Sequence, residues 1–172
     1  PVPSPVVTAN IIREAGAELI WTKTEHHAMM ASAAEADLVA GVRGEFIFPA
    51  FIPAYDGMFA AVKLLEAMAR SGVRLGEVAD RYPPIHMRTA RIACPWGRKG
   101  AVMRRLIEET EDEERQLVDG VKVCKSDREW VLIIPHSDKP YFVITVESES
   151  EERAQALLTR YAELVERWRD AA

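Results

Sequence analysis

Residues 40–66, A-G-V-R-G-E-F-I-F-P-A-F-I-P-A-Y-D-G-M-F-A-A-V-K-L-L-E, put a loop, a strand and a helix into one run. Gly41 and Gly44 flank Arg43 and lead into Glu45, the composition of a tight turn in which the backbone can approach a neighbour closely. Phe46, Ile47 and Phe48 have strand character, and Pro49 and Pro53 interrupt the chain after them. Met58, Ala61, Val62, Leu65, Met68 and Ala69 then recur at helical spacing, which predicts an amphipathic helix over 55–70 that stops at Ser71-Gly72.

Working outward, Val6, Val7, Ile11 and Ile12 predict a short helix ending at Gly16. Residues 18–24, E-L-I-W-T-K-T, read as a strand and the alanine-rich 28–36 as a helix. This alternation predicts an α/β unit with a largely parallel sheet. After a short helix over 75–81, Pro83-Pro84 is the expected boundary, dividing the chain into domains 1–83 and 84–172.

The second part has a different rhythm. A strand over 85–94 and a helix carrying Val102, Met103, Leu106 and Ile107 precede three strands, at 121–124, 130–134 and 141–147. Ala154, Leu157, Leu158, Tyr161, Leu164, Val165 and Trp168 fall on one face of a final helix, for which Ser148 and Glu151 offer a capping box. The order β-α-β-β-β-α predicts a small α+β domain whose antiparallel sheet is covered by helices.

With 172 residues, 48% of them hydrophobic, the chain can build one good core or two small ones. A net charge of −5 argues against a nucleic-acid partner, since the basic group Arg98, Lys99, Arg104 and Arg105 is followed at once by six acids between Glu108 and Glu114. Apolar runs stop well short of the ~20 residues that span a bilayer, so no membrane partner is expected and the cytoplasm is the expected compartment. Cys94 and Cys124 lack metal or redox spacing and are expected to be buried free thiols. The opening P-V-P-S-P reads like the middle of a longer polypeptide.

Few residues suggest chemistry by themselves. His26-His27 has no Asp, Glu or Cys at ligand spacing, so it does not read as a metal site. Lys23 stands where strand should give way to loop, a position that suits either ligand contact or solvent. Arg43 and Glu45 fit a hydroxyl-rich anionic ligand or a surface ion pair equally well. P-W-G-R-K-G, 95–100, could attract phosphate at a helix start, although an exposed helix start explains it more simply. P-H-S-D-K-P, 135–140, offers His136, Ser137 and Lys139 to a phosphate, but Asp138 opposes that and a plain hairpin would look the same. No catalytic triad, carboxylate pair or Asp-rich metal loop is present.

Order and wording together resemble the third and fourth domains of the α-D-phosphohexomutase family, the phosphomannomutases and phosphoglucomutases. W-T-K-T-E-H, 21–26, resembles the family's Lys-Thr-Gly-His-type loop, with Lys23 on the sugar-phosphate lysine, His26 on the histidine and Glu25 replacing glycine. Residues 40–66 resemble the sugar-recognition loop, strand and Asp-Gly-led helix, with Asp56-Gly57 and K-L-L-E matching well. D-G-V-K-V, E-W-V-L-I-I-P and S-E-E-R-A-Q-A-L-L resemble the closing domain.

The resemblance implies a hexose phosphate as ligand, met by Lys23, His26, Arg43, Glu45, His136, Ser137 and Lys139. It also implies that the N-terminal domains of the parent chain are partners and supply the phosphorylated serine and the magnesium loop, leaving no cofactor in this segment. The sugar loop departs from the family's Gly-Glu-x-Ser-Gly, reading Gly41-Val42-Arg43-Gly44, and Ile134 stands where the phosphate loop begins with arginine. Two readings follow: sugar-phosphate recognition within a phosphohexomutase, or a non-catalytic module of the kind attached to mannose-1-phosphate guanylyltransferase-type enzymes.

Overall fold

The protein is described by a computed structural model over residues 1–171. Two compact units divide at Pro84/Ile85. In the first, the elements are α1 (Val6–Glu14), α2 (His26–Ser32), β1 (Val39–Ala40), β2 (Phe46–Phe48), β3 (Ile52–Tyr55), α3 (Gly57–Ser71) and α4 (Leu75–Ala79). In the second they are β4 (His86–Ala93), α5 (Trp96–Glu109), β5 (Glu114–Gln116), β6 (Val121–Ser126), β7 (Glu129–Pro135), β8 (Tyr141–Ser148) and α6 (Glu151–Asp170).

The sheet of the first unit is antiparallel throughout, in order β1-β2-β3, where a largely parallel one was expected. Loop length is the reason. Residues 49–51 join β2 to β3 and 41–45 join β1 to β2, whereas a parallel neighbour needs a crossover of about a dozen residues. The strand expected over 18–24 forms no ladder, although Val2 N–H donates to the Thr22 carbonyl at 3.0 Å. The helix expected over 28–36 begins earlier and ends at Ser32. Met29, Ala33, Val39 and Ile47 form a small core, with Ala36 and Tyr55 packed against it.

The α3 helix starts where Asp56 accepts a hydrogen bond from Phe59 N–H at 2.8 Å. It stops at Gly72, whose φ of 67° is the left-handed conformation of a helix C-cap. Phe51 of the hairpin turn stacks on Phe59 with ring centroids 4.0 Å apart, fixing the helix start against β2 and β3. The apolar stripe of α3 stays in solvent: Met58 is 82% exposed and Leu65 64%.

The second unit is an antiparallel sheet in order β4-β8-β7-β6-β5. Alternation sends Val121, Val123, Val131, Ile133, Phe142, Ile144 and Val146 to one face, where α5 contributes Val102 and Leu106. The i, i+3, i+4 spacing of Ala154, Leu157, Leu158 and Tyr161 brings α6 onto the same core. The added strand β5 was not foreseen, because its residues Glu114, Arg115 and Gln116 have no apolar alternation. Ser150, rather than Ser148, caps α6 by accepting from Arg153 N–H at 3.2 Å. Ser148 lies in β8 and donates to Glu129 at 2.7 Å, so it cannot serve as the cap. Cys94 is fully buried, while Cys124 is only partly so.

Candidate functional site

Each unit carries a loop with the chemistry anticipated for a ligand. In the first unit, the 41–45 loop closes on its own glutamate. Gly41 N–H donates to the Glu45 carbonyl at 2.7 Å, and Arg43 N–H donates to Glu45 Oε2 at 2.8 Å. Gly44 takes a φ of 82°, a conformation that glycine reaches without penalty. At Gly41 any Cβ would run into the Glu45 carboxylate, so that side chain lies directly over the turn.

Glu45 does not stand alone. Burial, and after it the Glu45 carboxylate, pushes the Tyr55 phenol above its ordinary range. His26 meets the same tyrosine edge-on, with ring centroids 5.3 Å apart. The structure therefore gathers His26, Glu45 and Tyr55 at one end of the small sheet. Tyr55 was missed from sequence. Its signal was its place at the end of a strand immediately before the capping residue Asp56, which ties it to the mouth of α3.

The charged pair anticipated between Arg43 and Glu45 is made by the Arg43 backbone instead, and the guanidinium is exposed. Lys23 is also exposed; Thr22 Oγ1 donates to its carbonyl at 2.8 Å. Among the described residues, neither the Lys23 ammonium nor the Arg43 guanidinium makes a hydrogen bond or ion pair. Glu25 and His27 approach each other at 3.3 Å.

In the second unit, the 135–140 loop is ordered by its own backbone. His136 N–H donates to the Tyr141 carbonyl at 3.0 Å and Tyr141 N–H to the Lys139 carbonyl at 2.8 Å. Asp138 N–H donates to His136 Nδ1 at 3.0 Å, and the His136 ring lies edge-on to Tyr141 at 4.6 Å. That bond occupies a nitrogen which a phosphate would otherwise use. Ser137, Asp138 and Lys139 are exposed.

Beneath this loop lies a residue whose role sequence misjudged. Lys99, expected on an exposed helix start, is only 8% exposed. Its Nζ donates to the His136 and Lys139 carbonyls, each at 2.6 Å, and stands 3.8 Å from the Trp96 ring centroid. Burial pushes the ammonium below the ordinary lysine range, while Cys94 and Asp138 pull the other way. The readable signal was the three-residue spacing of Trp96 and Lys99, which stacks a cation on an indole along one helix face.

Among the described residues, no group of three or more His, Cys, Asp or Glu side chains could hold a metal ion. No described helix is long and apolar enough to cross a membrane.

Comparison with known proteins identifies the family. Residues 1–85 match the family described as phosphoglucomutase/phosphomannomutase, alpha/beta/alpha domain III. A probable phosphoglucosamine mutase of Methanopyrus kandleri is 33% identical over an alignment covering 96% of this chain and 37% of that protein. A second, from Pyrococcus abyssi, is 32% identical over 71% of this chain and 28% of its own length. The crystal structure of a phosphoglucomutase/phosphomannomutase family protein from Burkholderia thailandensis superposes with a TM-score of 0.74 at 20% identity, covering 94% of this chain and 35% of that one. The chain thus spans about a third of the length of these proteins, 37%, 28% and 35% in turn. With an α/β region, a helix-covered antiparallel sheet and relatives of one kind, the chain belongs to the α-D-phosphohexomutase family.

Proposed function

We infer that the chain is the sugar-phosphate-recognising portion of a phosphohexomutase and contributes binding, not phosphoryl transfer. The observation that carries this reading is the turn of Glu45 over its loop beside Tyr55 and His26. The family-type glutamate is missing from the position after Gly41, but a carboxylate returns to the loop from Glu45. A carboxylate accepts hydrogen bonds and a phenol donates them, which is the pairing that reads adjacent sugar hydroxyls. Lys23 and Arg43 supply exposed positive charge for the phosphate. The relatives named as phosphoglucosamine mutases support a hexose phosphate as the ligand class.

The phosphoryl-carrying serine and the magnesium belong, on this reading, to N-terminal domains of a longer parent chain. Magnesium would neutralise the charge of the transferring phosphoryl group there. The residues of this chain bind and orient the sugar.

Titration of the 15N-labelled chain with glucosamine 6-phosphate or mannose 1-phosphate tests the reading. Saturable shifts are expected at the amides of 41–45 and Tyr55, and Glu45→Gln should abolish them. No shift at that loop would refute recognition. In a coupled mutase assay with a bisphosphate activator the isolated chain should give no turnover; turnover above background would refute a purely binding role.

A second reading draws on the 135–140 loop. Ile134 replaces the phosphate-binding arginine and Asp138 is exposed where an anion would sit, as expected of a non-catalytic module in a sugar nucleotidyltransferase. An absence of ligand shifts at both 41–45 and 135–140 would favour it.

A further inference from the structure

We propose that Lys99 is a positioning residue that sets the shape of the 136–139 loop from within, so that the loop is held in one conformation before any ligand arrives. Lys99 is 8% exposed, and its ammonium donates to the carbonyls at both ends of that loop, 2.6 Å from each. An ammonium is a point charge with three rotatable donors, so two carbonyls and an indole face can share it. The indole is Trp96, three residues earlier on α5, so the anchor is fixed to the helix before it reaches the loop.

Two neighbouring bonds keep the anchor in register. Cys94 N–H donates to the Pro140 carbonyl at 2.8 Å, joining the segment before α5 to the far end of the loop. Arg169 Nη1 donates to the Ala93 carbonyl at 2.9 Å, tying the same segment to the end of α6. With both inner carbonyls engaged by Lys99, and the His136, Asp138 and Tyr141 amides used within the loop, the side chains of Ser137, Asp138 and Lys139 are left as the outward polar groups. Lys99 is therefore withdrawn from direct phosphate contact and acts through the loop.

Amide exchange and shifts of the full 172-residue chain test this, comparing the native protein with Lys99→Met and Lys99→Arg. In Lys99→Met the amides of Cys94, His136 and Tyr141 should exchange about tenfold faster or more, given that hydrogen bonds to charged groups are each worth about 1.5–3 kcal/mol. Amides in the centre of β6 and β7 should change by less than about twofold. Lys99→Arg, which keeps the charge, should restore part of the protection. Native exchange in Lys99→Met, or equal acceleration across the sheet, would overturn the proposal.

Should Lys99→Met fail to fold, the 15Nζ resonance of Lys99 in the native protein decides. Ammonium protons protected from water, with hydrogen-bond couplings to the His136 and Lys139 carbonyl carbons, are expected; rapid exchange without couplings would overturn it. That the held loop meets the sugar phosphate rests on the function proposed above. A loop that ignores inorganic phosphate and sugar phosphate alike would refute that part, while the exchange data in ligand-free protein still judge Lys99 separately.

Discussion

Glu45 sets the electrostatics of its loop, and Tyr55 is the reporter. Burial and the Glu45 carboxylate both raise the phenol's pKa, burial more. Glu45→Gln should therefore move the Tyr55 titration down toward the ordinary value near ~10 without reaching it. NMR titration of the Tyr55 ring checks this, and an unmoved midpoint would mean that the carboxylate lies elsewhere in solution. Gly120 is the second decisive residue. Its φ is 65°, and a Cβ there would strike the Ile133 carbonyl oxygen and crowd the backbone of Ile134. Gly120→Ala should cost about 1–3 kcal/mol from conformation alone, with the clash added, because backbone atoms cannot swing aside as a side chain can. Gly72, with a similar φ but open space around it, is the control. Gly72→Ala should lose only that conformational part, about 1–3 kcal/mol, and equal losses at the two glycines would contradict the packing argument.

The join between β7, β8 and α6 depends on one carboxylate. Glu129, 7% exposed, accepts from Ser148 at 2.7 Å and from Arg153 Nε and Nη2 at 2.9 and 3.1 Å. The Arg153 hydrogen bond, followed by Ser148 against the opposing cost of burial, holds its pKa below the ordinary carboxylate range. A depressed folded pKa means that this stabilisation is present above the unfolded value near ~4.3 and is lost as pH falls through the folded one. Glu129→Gln should lower stability at neutral pH by about 1–2 kcal/mol, the low side of a charged hydrogen-bond pair because Arg153 is largely solvent-exposed. Urea midpoints should converge as pH drops below ~4; parallel curves would contradict the assignment. The same region shows what sequence could and could not give. Helix α6 was legible because Ala154, Leu157, Leu158, Tyr161, Val165 and Trp168 repeat at its period. Its cap was misplaced by two residues because Ser148 and Ser150 are equivalent as residue types, and only the pairing of β8 assigns Ser148 to Glu129. The β2–β3 hairpin was read as one strand and a break because Pro53 falls inside β3, where a proline usually argues against a strand. Glu45 was legible as a loop residue, but its fold-back onto the Arg43 amide depends on turn geometry that composition does not specify.

At the scale of the whole molecule, the two units differ in the substance of their cores. The second has Val, Ile, Phe and Trp side chains from four strands and two helices around one interior, whereas the first buries only Met29, Ala33, Val39 and Ile47 in its cluster. A protein cut to residues 85–172 should melt cooperatively, and one cut to 1–84 should not; calorimetry of the two checks this, and a sharp transition in the shorter core would reject it. The stripe left in solvent on α3 adds a practical contrast, since Leu65→Lys should improve the solubility of the first piece without lowering its helix content. The buried sulfur of Cys94 extends this difference into time. Burial raises its pKa despite the nearby Arg169, Lys99 and Arg98, so the thiol is both screened from reagent and held protonated. A disulfide reagent should consume Cys124 first, because Cys124 is partly exposed, and reach Cys94 only when the strand-to-helix junction opens. The rate of the slower reaction then becomes a clock for that opening, read in undenatured protein without any engineered label.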